Sequence, residues 1–256
     1  MPKPPQLESV RQYFDGLAAH YSRRYSTQRP YLSYWFHERC DQALEEKNYT
    51  GKRILDVGAG NGALYTLLQQ NFPTFNYYAT DLSAAMLAES TIPNEHRWVG
   101  TLNTWDRAPA QFDHIFMLGL VPYLEPEDFF DHLDWAQKHL APGGSLCISF
   151  TNRASWDYQW RRALKPLFRL VPGRGVVQQA FSIEAHQLEA ITSELSHLGW
   201  KLDQAGYIAA SIPFLQHLSE AWAAKIGKWL NSWVHSKWWR KRLCPEFVLH
   251  LVSTSS

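Results

Sequence analysis

No run among the 256 residues approaches the roughly 20 consecutive apolar positions that a membrane span needs, so an integral membrane protein is not expected. Cysteine is scarce. Cys40, Cys147 and Cys244 are odd in number and far apart, which argues against a disulfide framework or a zinc site and for a reducing, cytoplasmic setting. The opening Met1-Pro-Lys-Pro-Pro lacks the apolar stretch of a secretory signal. Neither sign of charge dominates: 25 Lys and Arg stand against 24 Asp and Glu, and a formal +1 creates no whole-molecule field that would recruit nucleic acid or an anionic surface. What is present is a 45% apolar, 14% aromatic chain with twelve tryptophans, enough to bury one full-sized core and incompatible with disorder, collagen or coiled coil.

Leu7, Val10, Phe14, Leu17 and Tyr21 recur at steps of three and four, predicting a helix over 7–25. Pro30 opens a second periodic stretch, 31–47, with Asn48 as its stop. From Gly51 the rhythm changes to strand, glycine-rich turn, helix: Lys52 to Gly58, then Ala63 to Asn71. Strands follow at Phe75–Thr80, Arg97–Val99, Phe112–Leu118 and Leu146–Phe150, with helices at Ser83–Ser90 and Glu127–His139. Such alternation predicts an α/β, doubly wound, mostly parallel sheet covered by helices on both faces. After Phe150 the pattern breaks. Residues 151–175 read as irregular, basic and aromatic, 183–198 as a helix stopped by Gly199, 200–212 as a strand, 213–245 as a second insert, and 246–253 as the last strand before a frayed Thr254-Ser-Ser tail.

The chemistry is concentrated in Ile54-Leu-Asp-Val-Gly-Ala-Gly-Asn-Gly62. Glycines after a strand let backbone N–H groups approach a ligand, and the following helix adds its positive end, so a nucleotide-like ligand is expected. Gly58, Gly60 and Ala63 also satisfy a dinucleotide fingerprint, which keeps a nicotinamide oxidoreductase open. Asp56, two residues before the first glycine, suits a cationic ligand group and would repel a pyrophosphate. Asp81, at the end of the second strand, could accept hydrogen bonds from both ribose hydroxyls under either reading. The turn Leu140-Ala-Pro-Gly-Gly-Ser-Leu146 leads into the fifth strand.

Taken together, ILDVGAGNG, YYATDLSAAM, FDHIFML and LAPGGSL, in order across Gly51–Phe150, make the chain similar to the class I S-adenosylmethionine-dependent methyltransferases. The resemblance implies a seven-stranded sheet of order 3-2-1-4-5-7-6 with strand seven antiparallel, in one domain spanning 1–256. It also implies S-adenosylmethionine as the cofactor. Asp56 would lie near the methionine ammonium, and Gly58, Ala59, Gly60, Asn61 and Gly62 would line the amino-acid part. Asp81 would hold the ribose, with Leu82 and Met86 near the adenine and Leu102 and Leu118 among the lining residues. Many relatives place an acidic residue by the adenine after the third strand, where this chain has Thr101. Residues 13–21, Tyr-Phe-Asp-Gly-Leu-Ala-Ala-His-Tyr, resemble the lid of ubiquinone-biosynthesis-type members, so 1–50 would form a helical lid with Tyr21 closing over the cofactor. VRQYFDG, DLSAAM and LFRLVPG with GWKL are faintly similar to magnesium-protoporphyrin O-methyltransferases, a group from which the long C-terminal insert departs.

Methyl transfer from a sulfonium depends largely on positioning, so a dedicated base is optional. The catalytic residue is not identified; His20, Tyr21, Tyr123, His186 and His217 are candidate bases because they flank the cofactor mouth, whereas His114, inside a strand, reads as structural. The fourth strand ends Met117-Leu-Gly-Leu-Val-Pro-Tyr123, without the Asn/Asp-Pro-Pro-Tyr signature for amide or nucleobase amines. That counts against a nucleic-acid N-methyltransferase and leaves O- or N-methylation of a small molecule. No His, Cys and carboxylate cluster has metal-ligand spacing.

The near-neutral total conceals an asymmetry. Arg153–Arg174 carries +5, Ala221–Leu243 carries +6, and the remaining residues carry −10. Leu215, Leu218, Trp222, Ile226, Trp229 and Trp233 form one apolar stripe, with Lys225, Lys228 and His235 to one side and Trp238-Trp-Arg-Lys-Arg242 after it. Three readings follow: packing on the domain, contact with a membrane or lipid-like substrate, or single-stranded RNA binding. The inserts at 151–180 and 213–245 are expected to cap a small-molecule acceptor, with peripheral membrane contact through 213–245. The alternative is a noncatalytic or RNA-directed cofactor-binding module.

Overall fold

A computed structural model describes residues 6–45, 47–109, 111–168 and 183–254. Two helices lead, α1 (Gln6–Arg24) and α2 (Pro30–Leu44). Glu8 sits in the first turn of α1 and Arg23 and Arg24 in its last, complementing the helix dipole, and Pro30 opens α2 where a missing N–H costs nothing. Then follow β1 (Arg53–Val57), α3 (Ala63–Asn71), β2 (Asn76–Asp81), α4 (Ala84–Ala88), β3 (Arg97–Val99), β4 (Phe112–Met117), α5 (Pro126–His139) and β5 (Leu140–Thr151). The last part comprises α6 (Trp156–Phe168), α7 (Leu188–His197), β6 (Trp200–Ile208), α8 (Leu215–Leu218), α9 (Glu220–Trp233), α10 (Lys237–Leu243) and β7 (Glu246–Ser253).

The seven strands form one sheet of order β3-β2-β1-β4-β5-β7-β6, parallel from β3 to β5, with β7 antiparallel to both neighbours. Alternation along β1 splits the core into two layers. Leu55 and Val57 face α5 and α7, joining Phe112, Leu133, Ile191 and Trp200. Ile54 faces α2, α3 and α9, joining Tyr34, Leu68, Tyr77 and Ala223. The strand order reverses at β1, with β2 on one side and β4 on the other, and this crevice is where ligands bind in open α/β sheets.

Several boundaries differ from the sequence reading. Within 151–175, expected to be irregular, Trp156–Phe168 is a helix, because Ser155 accepts the Tyr158 amide at its start and Asp157 pairs with Arg161 one turn on. The part of that segment after Phe168 lies outside the described residues. The helix expected over 183–198 begins only at Leu188; before it, His186 bridges Asn152 in extended backbone, its amide donating to Thr151. Strand β6 stops at Ile208 rather than 212, since Ala209 turns to φ 57°. Strand β5 begins at Leu140 rather than 146, and α2 ends at Leu44 rather than 47. Thr254, expected to fray, donates both its amide and its hydroxyl to the Gly199 carbonyl.

Candidate functional site

The glycine loop leaves β1 at the carboxyl end of the sheet. Gly58, Gly60 and Gly62 have φ of 75°, 57° and 74°, a region that a side chain disfavours, and Gly62 caps α3 in that conformation. Space is equally restrictive. A Cβ at Gly60 would lie 3.1 Å from Met86 Cε and 3.8 Å from Tyr21 Cε1, and one at Gly58 would lie 3.1 Å from Leu120 Cδ1. The loop therefore threads between α1, α4 and the end of β4 with its backbone bare.

Asp81 holds that loop in place. Its Oδ2 accepts the Gly60 amide at 2.8 Å and its Oδ1 accepts the Ser83 amide at 2.8 Å, so one carboxylate joins the end of β2, the glycine loop and the start of α4. Burial raises its pKa, and the two amide bonds counter part of that rise. Asp56 lies one layer deeper. It is 4% exposed, its Oδ2 accepts the Tyr77 hydroxyl at 2.6 Å, and burial pushes its pKa up to about 7. Ser83 caps α4 by accepting the Met86 amide and donates to Asp15 Oδ1 at 2.6 Å, which ties α1 to the site.

Of the other expected lining residues, Met86 is buried against the loop, and Leu82, Ala59, Asn61 and Leu118 are half-buried around it. Thr101 is half-buried and caps a short 3-10 turn, and Leu102 is buried in the core layer under α5. Tyr21 and Tyr123 come together. Phe14 packs edge-on against both, at centroid separations of 6.2 and 5.2 Å, while Tyr25 bonds to Tyr21 and stacks on Phe36. Arg24 lies 5.9 Å over the Tyr21 ring. Burial raises both phenols, Tyr123 to about 12, so at neutral pH they are protonated hydroxyls rather than bases.

The three histidines are not brought into this cluster. His20 is exposed on α1, and His217 is exposed on α8 against Phe214. His186 packs against Phe129 and Phe150, with its Nδ1 buried and unpartnered and its pKa lowered by burial. His114 bonds Ser145 between strands and is driven down to about 4 by burial.

Sequence reasoning missed Arg39, Glu246, Trp35 and Asn152, and the part that Ser83 plays as a cap and as a tie to α1. Arg39 of α2 makes a two-pronged ion pair with Glu246 of β7, at 2.7 and 2.8 Å, and Trp35 also donates to Glu246. The Arg39 guanidinium lies where a Cβ on Gly119 would sit, at 2.9 Å, so it closes over the end of β4. Asn152, fully buried, donates to the Lys241 and Cys244 carbonyls and anchors the second insert on β5. Only Ser83 had a local signal, an N-cap residue just before a helical stretch. Arg39 and Glu246 are more than 200 residues apart, and no periodicity links them.

Residues 55–146 match the family described as a methyltransferase domain. No curated protein matches the sequence significantly. Among solved structures, the chain is similar to a magnesium protoporphyrin IX methyltransferase from Synechocystis PCC 6803 with bound SAH, at 16% identity and TM-score 0.63 over 97% of this chain and all of that one. It is similar to DhpI in complex with SAH, at 17% identity and TM-score 0.59 over 98% of each chain. An S-adenosylmethionine-dependent methyltransferase from Archaeoglobus fulgidus aligns at 14% identity and TM-score 0.54 over 87% of this chain and 93% of that one.

Proposed function

From a chain that carries a methyltransferase domain on the class I fold, we infer an enzyme that transfers the methyl group of S-adenosylmethionine to the oxygen or nitrogen of a small, apolar acceptor. The observation that carries this reading is the Asp81 carboxylate bonded to Gly60 at the β1/β4 crevice. It leaves a bare glycine loop beside two carboxylates that burial has left short of charge compensation, a donor set matched to a ligand with ribose hydroxyls at one end and an ammonium at the other. The cofactor supplies a methyl group already activated on a sulfonium.

The chain's own residues do the positioning. Asp81 accepts hydroxyl hydrogen bonds with the lone pairs that Gly60 and Ser83 leave free. Asp56 offers negative charge beneath the loop. Tyr21, tied to Tyr25 and packed by Phe14, covers Gly60 and excludes water. The wall of Phe14, Tyr21, Tyr25, Phe36 and Tyr123 presents ring faces and edges to an apolar, flat acceptor and holds it in line, which can supply much of the rate. Magnesium protoporphyrin, named for one structural neighbour, is an acceptor of this chemical kind.

The test is calorimetry with S-adenosylmethionine, its demethylated product and NAD, followed by an acceptor screen with methyl-labelled donor. Binding of the first two and not NAD, with label transferred to a flat apolar hydroxyl, carboxyl or amine, is the expected result. Binding of NAD alone overturns the reading.

A further inference from the structure

We propose that α9 and α10, with the hollow between them and α6, form a docking surface for an anionic phospholipid bilayer. The first observation is which face of α9 is used for packing. Its buried residues are Ala223, Ala224 and Gly227, and a Cβ on Gly227 would meet Tyr34 Cε1 at 2.6 Å and the Ala210 carbonyl at 2.7 Å. Small residues bring α9 hard against α2, so the tryptophan stripe points the other way. Trp222, Trp229 and Trp233 are 59%, 56% and 70% exposed.

The second observation is how tryptophan is sorted. Trp160, Trp238 and Trp239 are exposed too, so all six exposed tryptophans lie on α6, α9 and α10, while the other six are buried or half-buried. Side chains of this size dominate burial energetics, and a cluster of them in water marks an interaction surface. Beside them Trp156, Leu230, Val234, Trp239 and Leu243 line a hollow of about 460 Å³, with no polar side chain in its wall. The glycine loop's neighbours Tyr21, Met86 and Leu120 are not part of it.

Charge selects the occupant. Lys225, Lys228 and Lys237 are exposed on the same two helices and make no ion pair among the described residues, and Lys225 rests 5.2 Å over the Trp222 ring. A second copy would bring these lysines against their own kind. Nucleic acid would satisfy the lysines and find nothing in an apolar hollow to bond to its bases or phosphates. A bilayer with anionic headgroups satisfies both: tryptophans at the headgroup level, ammonium groups at the phosphates and an acyl chain in the hollow. No described helix is long and apolar enough to cross the membrane, so the contact is peripheral.

Co-sedimentation of the full chain with vesicles tests this without any turnover assay, so it stands apart from the methyl-transfer reading. Binding is expected to vesicles of phosphatidylcholine with phosphatidylglycerol, to fall as salt rises, and to drop by about fivefold for each of Lys225, Lys228 and Lys237 changed to Gln. Trp222, Trp229 and Trp233 changed together to Ser should abolish it, with the circular dichroism spectrum retained and the melting temperature little changed, because these side chains are mostly exposed and their ring contacts are with one another and with Lys225. Absence of vesicle binding at low salt overturns the proposal. So does binding that the Trp variant retains, displacement from vesicles by a single-stranded RNA oligomer, or a wild-type dimer in sedimentation velocity that the Trp variant lacks.

Discussion

The hydroxyl of Tyr77 donates to Oδ2 of Asp56 at 2.6 Å, from β2 to β1, with both side chains closed off from solvent. Two neighbouring strands thereby hold a carboxylate beneath the glycine loop, and its proton becomes part of the site. Burial drives the Asp56 pKa up, the Tyr77 bond pulls it back, and the nearby Asp81 adds to the rise, leaving it at about 7.

The folded carboxyl holds its proton more tightly than the unfolded one. Its contribution to stability is complete below the ordinary carboxylate range and is lost as pH rises through about 7. Ligand-free wild type should therefore lose melting temperature between pH 5 and 8 relative to Asp56→Asn. Affinity for S-adenosylmethionine should run the opposite way, rising through about pH 7 as the carboxylate forms, and this rise should be absent in Asp56→Asn. In Tyr77→Phe, which removes the hydrogen bond that lowers the pKa, the midpoint should move up. Parallel pH profiles for wild type and Asp56→Asn would remove Asp56 from the binding site.

Asp81→Ala should weaken S-adenosylmethionine binding by roughly 1.5–3 kcal/mol, the scale of lost charge-assisted hydrogen bonds. Asp81→Asn keeps an oxygen for the Gly60 or Ser83 amide but not for both, so its loss should be intermediate. Calorimetry on folded variants checks the order Ala, Asn, wild type; equal affinities would sink the ribose assignment.

Arg39→Met should destabilise the fold by about 3–5 kcal/mol, because it leaves the Glu246 carboxylate buried without its partner. Pairing it with Glu246→Leu should restore most of that loss. Urea unfolding of the two variants decides; if the single and double changes cost the same, the pair is not what holds α2 onto β7.

Gly227→Ala should destabilise by about 1–3 kcal/mol, since the added methyl meets Tyr34 and the Ala210 carbonyl at less than 3 Å. Gly16→Ala in α1 meets nothing within 4 Å and should stabilise by about 0.5–1 kcal/mol. Melting curves of the pair test whether α9 is seated by close backbone approach.

The doubly wound sheet, the glycine loop and Asp81 at the end of β2 were legible in the chain because each depends on neighbours within a few residues: short apolar runs, glycines at alternate positions, a strand followed by its helix. Ser83 is legible on the same terms. The strand order 3-2-1-4-5-7-6 came through likeness to a family, since four motifs in order carry more information than any periodicity among them. The ends of elements were less legible. Backbone bonds from His186 to Thr151 and from Arg153 to His186 hold the start of α7 back to Leu188, and a φ of 57° at Ala209 ends β6 early. Tertiary structure alone decided the rest. It paired Arg39 with Glu246 across the chain, and it aimed α9. Periodicity showed that Trp222, Trp229 and Trp233 share a face, and it could not say which face would be buried. Ala223, Ala224 and Gly227 settled that, because a helix goes where its backbone can come closest, and small side chains meeting Tyr34 allowed an approach that tryptophans would have blocked.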